Sequence, residues 1–146
     1  MSKRIVGLII CLMIVLPAFS MHALAAPDTE LEIQIMGGLP LPLFLHLVGG
    51  VIGNIGNTTA YNVSYTLTID GGVLDGIHKT FEGFEEEILP DTGWSVFLND
   101  VYGFGLVTIV LTASASNAQN ATGSAKGVQL REFTWVPFSW INALKT

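Results

Sequence analysis

From Glu30 onward the chain alternates between apolar and polar residues. Leu31, Ile33 and Ile35 interleave with Glu30, Glu32 and Gln34, which predicts a strand with one wet face. Gly37-Gly38 and Pro40 with Pro42 then break the chain. Leu43 to Ile52 is a second apolar stretch, and its Gly49-Gly50 pair predicts a bulge or a close backbone approach. Tyr61, Val63, Tyr65, Leu67 and Ile69 share one face of the next strand. Asn62, Ser64, Thr66 and Thr68 share the other, and Asp70-Gly71-Gly72 ends the strand with turn chemistry.

Val73 to Phe84 is weaker and predicts an edge strand or an irregular hairpin. Glu85-Glu86-Glu87 reads as a charged bend before the Pro90-Asp91-Thr92-Gly93 turn. Trp94, Val96 and Leu98 resume the alternation, as do Val107, Ile109, Leu111 and Ala113 opposite Thr108, Thr112 and Ser114. Ser116 to Gly123 reads as a polar loop. Val128 and Leu130 open a last strand, on which Phe133 and Trp135 close the core before Pro137 ends the pairing. About seven short strands with turns at close spacing predict an all-β protein of two packed antiparallel sheets, with a closed barrel as the rival.

The first residues follow a different logic. Ser2-Lys3-Arg4 is a basic start, Ile5 to Leu16 is unbroken apolar sequence, and Ala23-Leu24-Ala25 is a small-x-small site. That order predicts a secretory signal over residues 1–25, cleaved to leave a chain starting near Ala26 that works outside the cytoplasm. Retained instead, Ile5 to Ala26 is just long enough to anchor the protein as an apolar helix. The expected organisation is therefore a signal over 1–25, a β-sandwich over 26–136 and a C-terminal aromatic tail over 137–146.

Composition narrows the function. The single cysteine, Cys11, lies in the signal, so the exported chain holds no disulfide and relies on core burial, for which the chain's 50% hydrophobic content provides. Without the signal, four basic residues remain against twelve acidic ones, a net charge of −8. Nucleic acid and anionic membrane surfaces need clustered Lys and Arg and are poor partners for such a chain.

At Asn54-Ile55-Gly56-Asn57-Thr58-Thr59-Ala60-Tyr61-Asn62-Val63, a turn with Asn-x-Gly runs through Ala-x-Asn-Val into an alternating strand. This resembles the CARDB-type immunoglobulin-like modules of prokaryotic surface proteins. The later Asp70-Gly71-Gly72 and Gly103-Phe104-Gly105 before Val107-Thr108-Ile109 are similar to archaeal secreted members of that group. The resemblance covers roughly Glu30 to Trp135 and implies an immunoglobulin-like sandwich of about seven strands with an adhesive or interaction role at the cell surface.

Little of the sequence points to catalysis. His46 and His78 lie in different segments without ligand spacing, which predicts no metal and no cofactor. Glu85 to Glu87 with Asp91, or Asp70 with Asp75, lack the fixed alternate spacing of a calcium loop. No serine sits in a Gly-x-Ser-x-Gly elbow, which speaks against an enzyme and leaves a small hydrolase as the weakest reading. Asn57, Asn62 and Asn120 each begin an N-glycosylation acceptor tripeptide. The aromatic residues Trp94, Trp135, Phe138 and Trp140 are the binding candidates. Phe138 and Trp140, beyond Pro137, are expected to contact a partner rather than the core. The expected function is protein–protein interaction or adhesion at the envelope, with an envelope or surface protein, this chain itself included, as partner. The alternative is a carbohydrate-binding module stacking sugars on its tryptophans.

Overall fold

In the central strand β3, Ala60–Gly71, Val63, Tyr65, Leu67 and Ile69 are buried, while Ser64 between them is exposed and Thr66 and Thr68 are half-buried. Each of the large apolar side chains so buried contributes about 1.5–3 kcal/mol. The computed structural model describes residues 28–37 and 47–137. The expected signal over residues 1–25, His46 and the tail residues Phe138 and Trp140 lie outside the described residues.

The other strands are β1 (Leu31–Gly37), β2 (Val48–Asn54), β4 (Ile77–Ile88), β5 (Thr92–Leu98), β6 (Gly103–Ser114), β7 (Ala121–Arg131) and β8 (Phe133–Trp135). They form two antiparallel sheets, β1-β2-β5 and β4-β3-β6-β7-β8. The sheets pack as a β-sandwich, with Val48, Ile52 and Val96 from one and Val63, Leu67, Ile69, Ile109 and Leu111 from the other in the shared core. Eight strands stand among the described residues where about seven were expected, because the last one is divided in two.

Several local expectations are corrected. Glu85-Glu86-Glu87 is not a bend: it lies inside β4, where Glu85 pairs with Val63 and Glu87 with Tyr61. An edge strand tolerates this because its side chains reach water, and charge on an edge discourages pairing with other chains. Gly49-Gly50 is no bulge, since β1 and β2 pair in unbroken register. Both glycines instead mark close approaches: a Cβ on Gly49 would lie 1.9 Å from the Val96 carbonyl oxygen, and one on Gly50 2.6 Å from that of Gln34. The Ser116 to Gly123 loop is shorter than expected, with β7 beginning at Ala121. Tyr61 is exposed rather than on the dry face; the next residue, Asn62, has a positive φ of 54° that turns the backbone there.

The turn before β3 is held by Asn54, which is fully buried. Its amide donates to the carbonyls of Thr58 (2.8 Å) and Ile88 (2.9 Å), and its side-chain oxygen accepts from the Gly56 N–H at 3.1 Å. Across the same end, the Asn117 amide donates to the Thr59 carbonyl (2.8 Å) and to Thr29 Oγ1 (3.0 Å). Its Oδ1 accepts from the Tyr61 N–H at 3.0 Å. These side chains satisfy backbone groups where the ladders stop.

Candidate functional site

The last two strands turn their apolar side chains the wrong way for a core. Val128 and Leu130 on β7, and Phe133 and Trp135 on β8, face outward, while Gln129 and Thr134 face inward and are buried. The expectation that Phe133 and Trp135 close the core is thus overturned; Trp135 is 46% exposed. The inward positions of β7 before Gln129 are Gly123, Ala125 and Gly127, small because β1 and β8 crowd them. A Cβ on Gly123 would lie 2.5 Å from Ile33 Cγ2, and one on Gly127 2.8 Å from the Trp135 carbonyl oxygen. Gln129 continues that inward row and is fully satisfied. Its amide donates to the carbonyls of Val101 (2.8 Å) and Arg131 (3.1 Å), and its Oε1 accepts from the Thr134 hydroxyl. With Gln129 held inside, the period of two forces Val128 and Leu130 out.

The outer face of the five-stranded sheet is consequently divided. Cross-strand rows read Thr66–Thr112–Thr122, then Thr68–Val110–Ser124, then Asp70–Thr108–Lys126, then Leu106–Val128–Trp135, and finally Phe104–Leu130–Phe133. One end is mostly small and polar on β3, β6 and β7, with Phe84 exposed at the β4 edge, and the other is apolar. In the apolar rows Leu106 is 76% exposed, Phe104 53% and Leu130 52%. The link between β3 and β4 runs beside them, with the Gly72 N–H donating to the Leu106 carbonyl at 2.7 Å. That link carries a single 3-10 turn, Val73–Asp75, in which Leu74 is 97% exposed and holds a φ of 56°. Contiguous exposed apolar side chains of this size mark interaction surfaces. Sequence reading missed Phe104 and Leu106, although extending the alternation of Val107 and Ile109 backward places both on the wet face.

The other candidates lie elsewhere. Trp94, on β5 of the three-stranded sheet, covers the open side between β5 and β4, and its indole N–H donates to the Tyr65 hydroxyl at 3.3 Å. Phe81 packs against the Tyr65 ring at 6.3 Å between centroids. Trp94 and Trp135 thus sit in different sheets at opposite sides of the sandwich and form no common platform. Asn57, Asn62 and Asn120 are all exposed and gather at the end opposite Phe104, around the start of β3 and the start of β7. The Asn57 side-chain oxygen accepts from the Asp28 N–H at 2.8 Å.

One further cluster joins residues that the sequence left separate. His78 Nδ1 lies 3.0 Å from Asp70 Oδ1 across β3 and β4, and its Nε2 lies 3.8 Å from Asp75 Oδ2. The hydrogen bond to Asp70 raises the His78 pKa above its ordinary 6.5; desolvation opposes it, and lesser contributions from Asp75 and from the Asp70 charge add to the rise. Glu85 and Glu87 share one face of β4 and Glu86 the other, so they do not converge. Among the described residues, no group of three or more His, Cys, Asp or Glu side chains is arranged to hold a metal ion. Nor is any helix among them long and apolar enough to cross a membrane.

Compared with known proteins, the chain matches no protein-family model and no curated protein.

Proposed function

We propose that this chain is a secreted or cell-surface, non-enzymatic binding module with an immunoglobulin-like sandwich, and that the apolar end of its five-stranded sheet is the binding face. The observation that carries the reading is the outward display of Phe104, Leu106, Leu130 and Trp135 while polar Gln129 and Thr134 occupy the interior. Natural sequences break the apolar-inside rule mostly where a function requires it.

The strand order supports the fold reading. β1-β2-β5 against β4-β3-β6-β7 corresponds to strands A-B-E facing C′-C-F-G, with the fourth strand on the third as in variable-type immunoglobulin sheets. β8 is then an additional hairpin strand. The buried Asn54 turn is the segment that resembles CARDB-type modules, and its hydrogen bonds give that motif a structural reason. The amino-terminal signal pattern supports export, and N-glycans on Asn57, Asn62 and Asn120 would leave the apolar end uncovered. The separation of Trp94 from Trp135 favours a protein partner over a sugar stacked on paired tryptophans.

Retention by a native envelope fraction tests the reading. The exported protein is expected to be retained, and Leu106→Asp to be released at unchanged melting temperature. Equal retention of both would refute the binding face.

A further inference from the structure

The apolar end is bordered by a row of charges with a definite order. Across the sheet it runs His78 on β4, Asp70 on β3, Thr108 on β6 and Lys126 on β7. All four are exposed. Asp70 and Lys126 flank the same residue, Thr108, and are separated by two strand spacings, about 10 Å. Lys126 forms no ion pair with a described residue, and the two apolar rows next to it carry no charged side chain.

This row is self-complementary under one operation. A two-fold axis parallel to β6 and midway between two facing sheets sets β3 of one copy against β7 of the other and keeps each row at its own level. Asp70 of one copy then faces Lys126 of the other, and the reverse, while Leu106 and Phe104 meet their own counterparts. Val128 and Leu130 face the link that carries Val73 and Leu74, the latter the most exposed large apolar side chain among the described residues. A closed two-fold contact of this kind uses one patch on both partners. Sheet faces pack about 10 Å apart, which such side chains fill.

We propose that the partner of this face is a second copy of the chain, packed sheet to sheet about that axis. The proposal rests on the binding face described above and commits it to one occupant. The net negative charge of each copy opposes association in general. The contact avoids this because the acidic β4 edge, with Glu82, Glu85, Glu86 and Glu87, lies to the side of the axis and the apolar rows are uncharged. The acceptor asparagines lie at the far end of the same strands.

Sedimentation velocity of the exported chain over a range of micromolar concentrations tests this. A concentration-dependent dimer is expected, and Leu106→Asp should be monomeric at unchanged melting temperature. Asp70→Lys and Lys126→Asp each place like charges opposite one another and should weaken the dimer by about tenfold or more. Combining the two restores opposite charges and should recover most of the affinity. A merely solubilising effect would not be rescued in this way. A chain that stays monomeric, a Leu106→Asp dimer, or a double variant as weak as the singles overturns the proposal. So does a monomer that begins to associate when residues 138–146 are deleted, because the chain's own tail would then be the occupant. A monomer still retained by the envelope fraction, with Leu106→Asp released, overturns the dimer and leaves the binding face standing. Loss of both results removes both.

Discussion

Gln129 and Thr134 sit directly opposite each other across β7 and β8, both buried, and the Thr134 hydroxyl donates to the Gln129 side-chain carbonyl. The pair locks the facing of this end of the sheet, because a slip of one residue would exchange every inward and outward side chain. Gln129→Leu keeps the volume but removes the partner of the Thr134 hydroxyl and of the Val101 carbonyl. It should cost about 2–4 kcal/mol in denaturant unfolding. Adding Thr134→Val removes one orphaned group and should recover part of that loss. A neutral Gln129→Leu would show that the side chain does not point inward.

Gly49 and Gly53 lie on the same strand with opposite margins. A Cβ at Gly49 would fall 1.9 Å from the Val96 carbonyl oxygen, a backbone atom that cannot step aside, whereas at Gly53 the nearest atom is the Glu32 carbonyl oxygen at 3.9 Å. Gly49→Ala should therefore destabilise by ~3 kcal/mol or more, or prevent folding, through forced separation of β2 and β5. Gly53→Ala should stay within about 1 kcal/mol of the parent. Comparable melting temperatures for the two variants would contradict the register of β2 with β5.

The legible part of the fold was the part where alternation is strict. Alternation places Val63, Leu67 and Ile69, then Ile109 and Leu111, inward, and all five are buried, because central strands of a sandwich have one dry face. The outward-facing apolar end of the sheet is not legible, because the same rule assigns Val128, Leu130, Phe133 and Trp135 to the core. What outweighs it is crowding: β1 and β8 press on Gly123 and Gly127, so the small residues of β7 define its inner row and Gln129 inherits that parity. The row Gly123-x-Ala125-x-Gly127 was the available signal. The His78 cluster was hidden for a different reason, since only the pairing of β3 with β4 brings Asp70 opposite His78.

Leu74 is nearly fully exposed with a φ of 56°, a conformation that costs an L-residue about 1–2 kcal/mol and glycine little. No burial is lost when its side chain is removed. Leu74→Gly should therefore leave the fold unchanged or stabilise it by up to about 1 kcal/mol, even after the larger backbone entropy of glycine is counted. The same variant should weaken self-association, since it deletes an apolar side chain from the proposed contact. Sedimentation and chemical unfolding on one sample separate the two effects. A variant that is clearly less stable would show that Leu74 is held by packing instead.

The last prediction concerns pH. The hydrogen bond from His78 to Asp70, with Asp75 beside it, raises the His78 pKa above the value it has in the unfolded chain. A raised pKa means that the folded state binds the proton more tightly, so protonation favours folding. The contribution is fully present below the unfolded value of 6.5 and fades as pH rises through the higher folded value. The residue is exposed, so the effect is small and shrinks with added salt. The many carboxylates of the chain titrate in the wild type and in His78→Gln alike, so the difference between the two isolates this group. The melting temperature of the wild type should exceed that of His78→Gln by more at pH 5.5 than at pH 8.5, and Asp70→Asn should narrow the gap at the lower pH. A difference that is constant across the range, or larger at pH 8.5, would mean that the histidine gains nothing from its two carboxylates on folding.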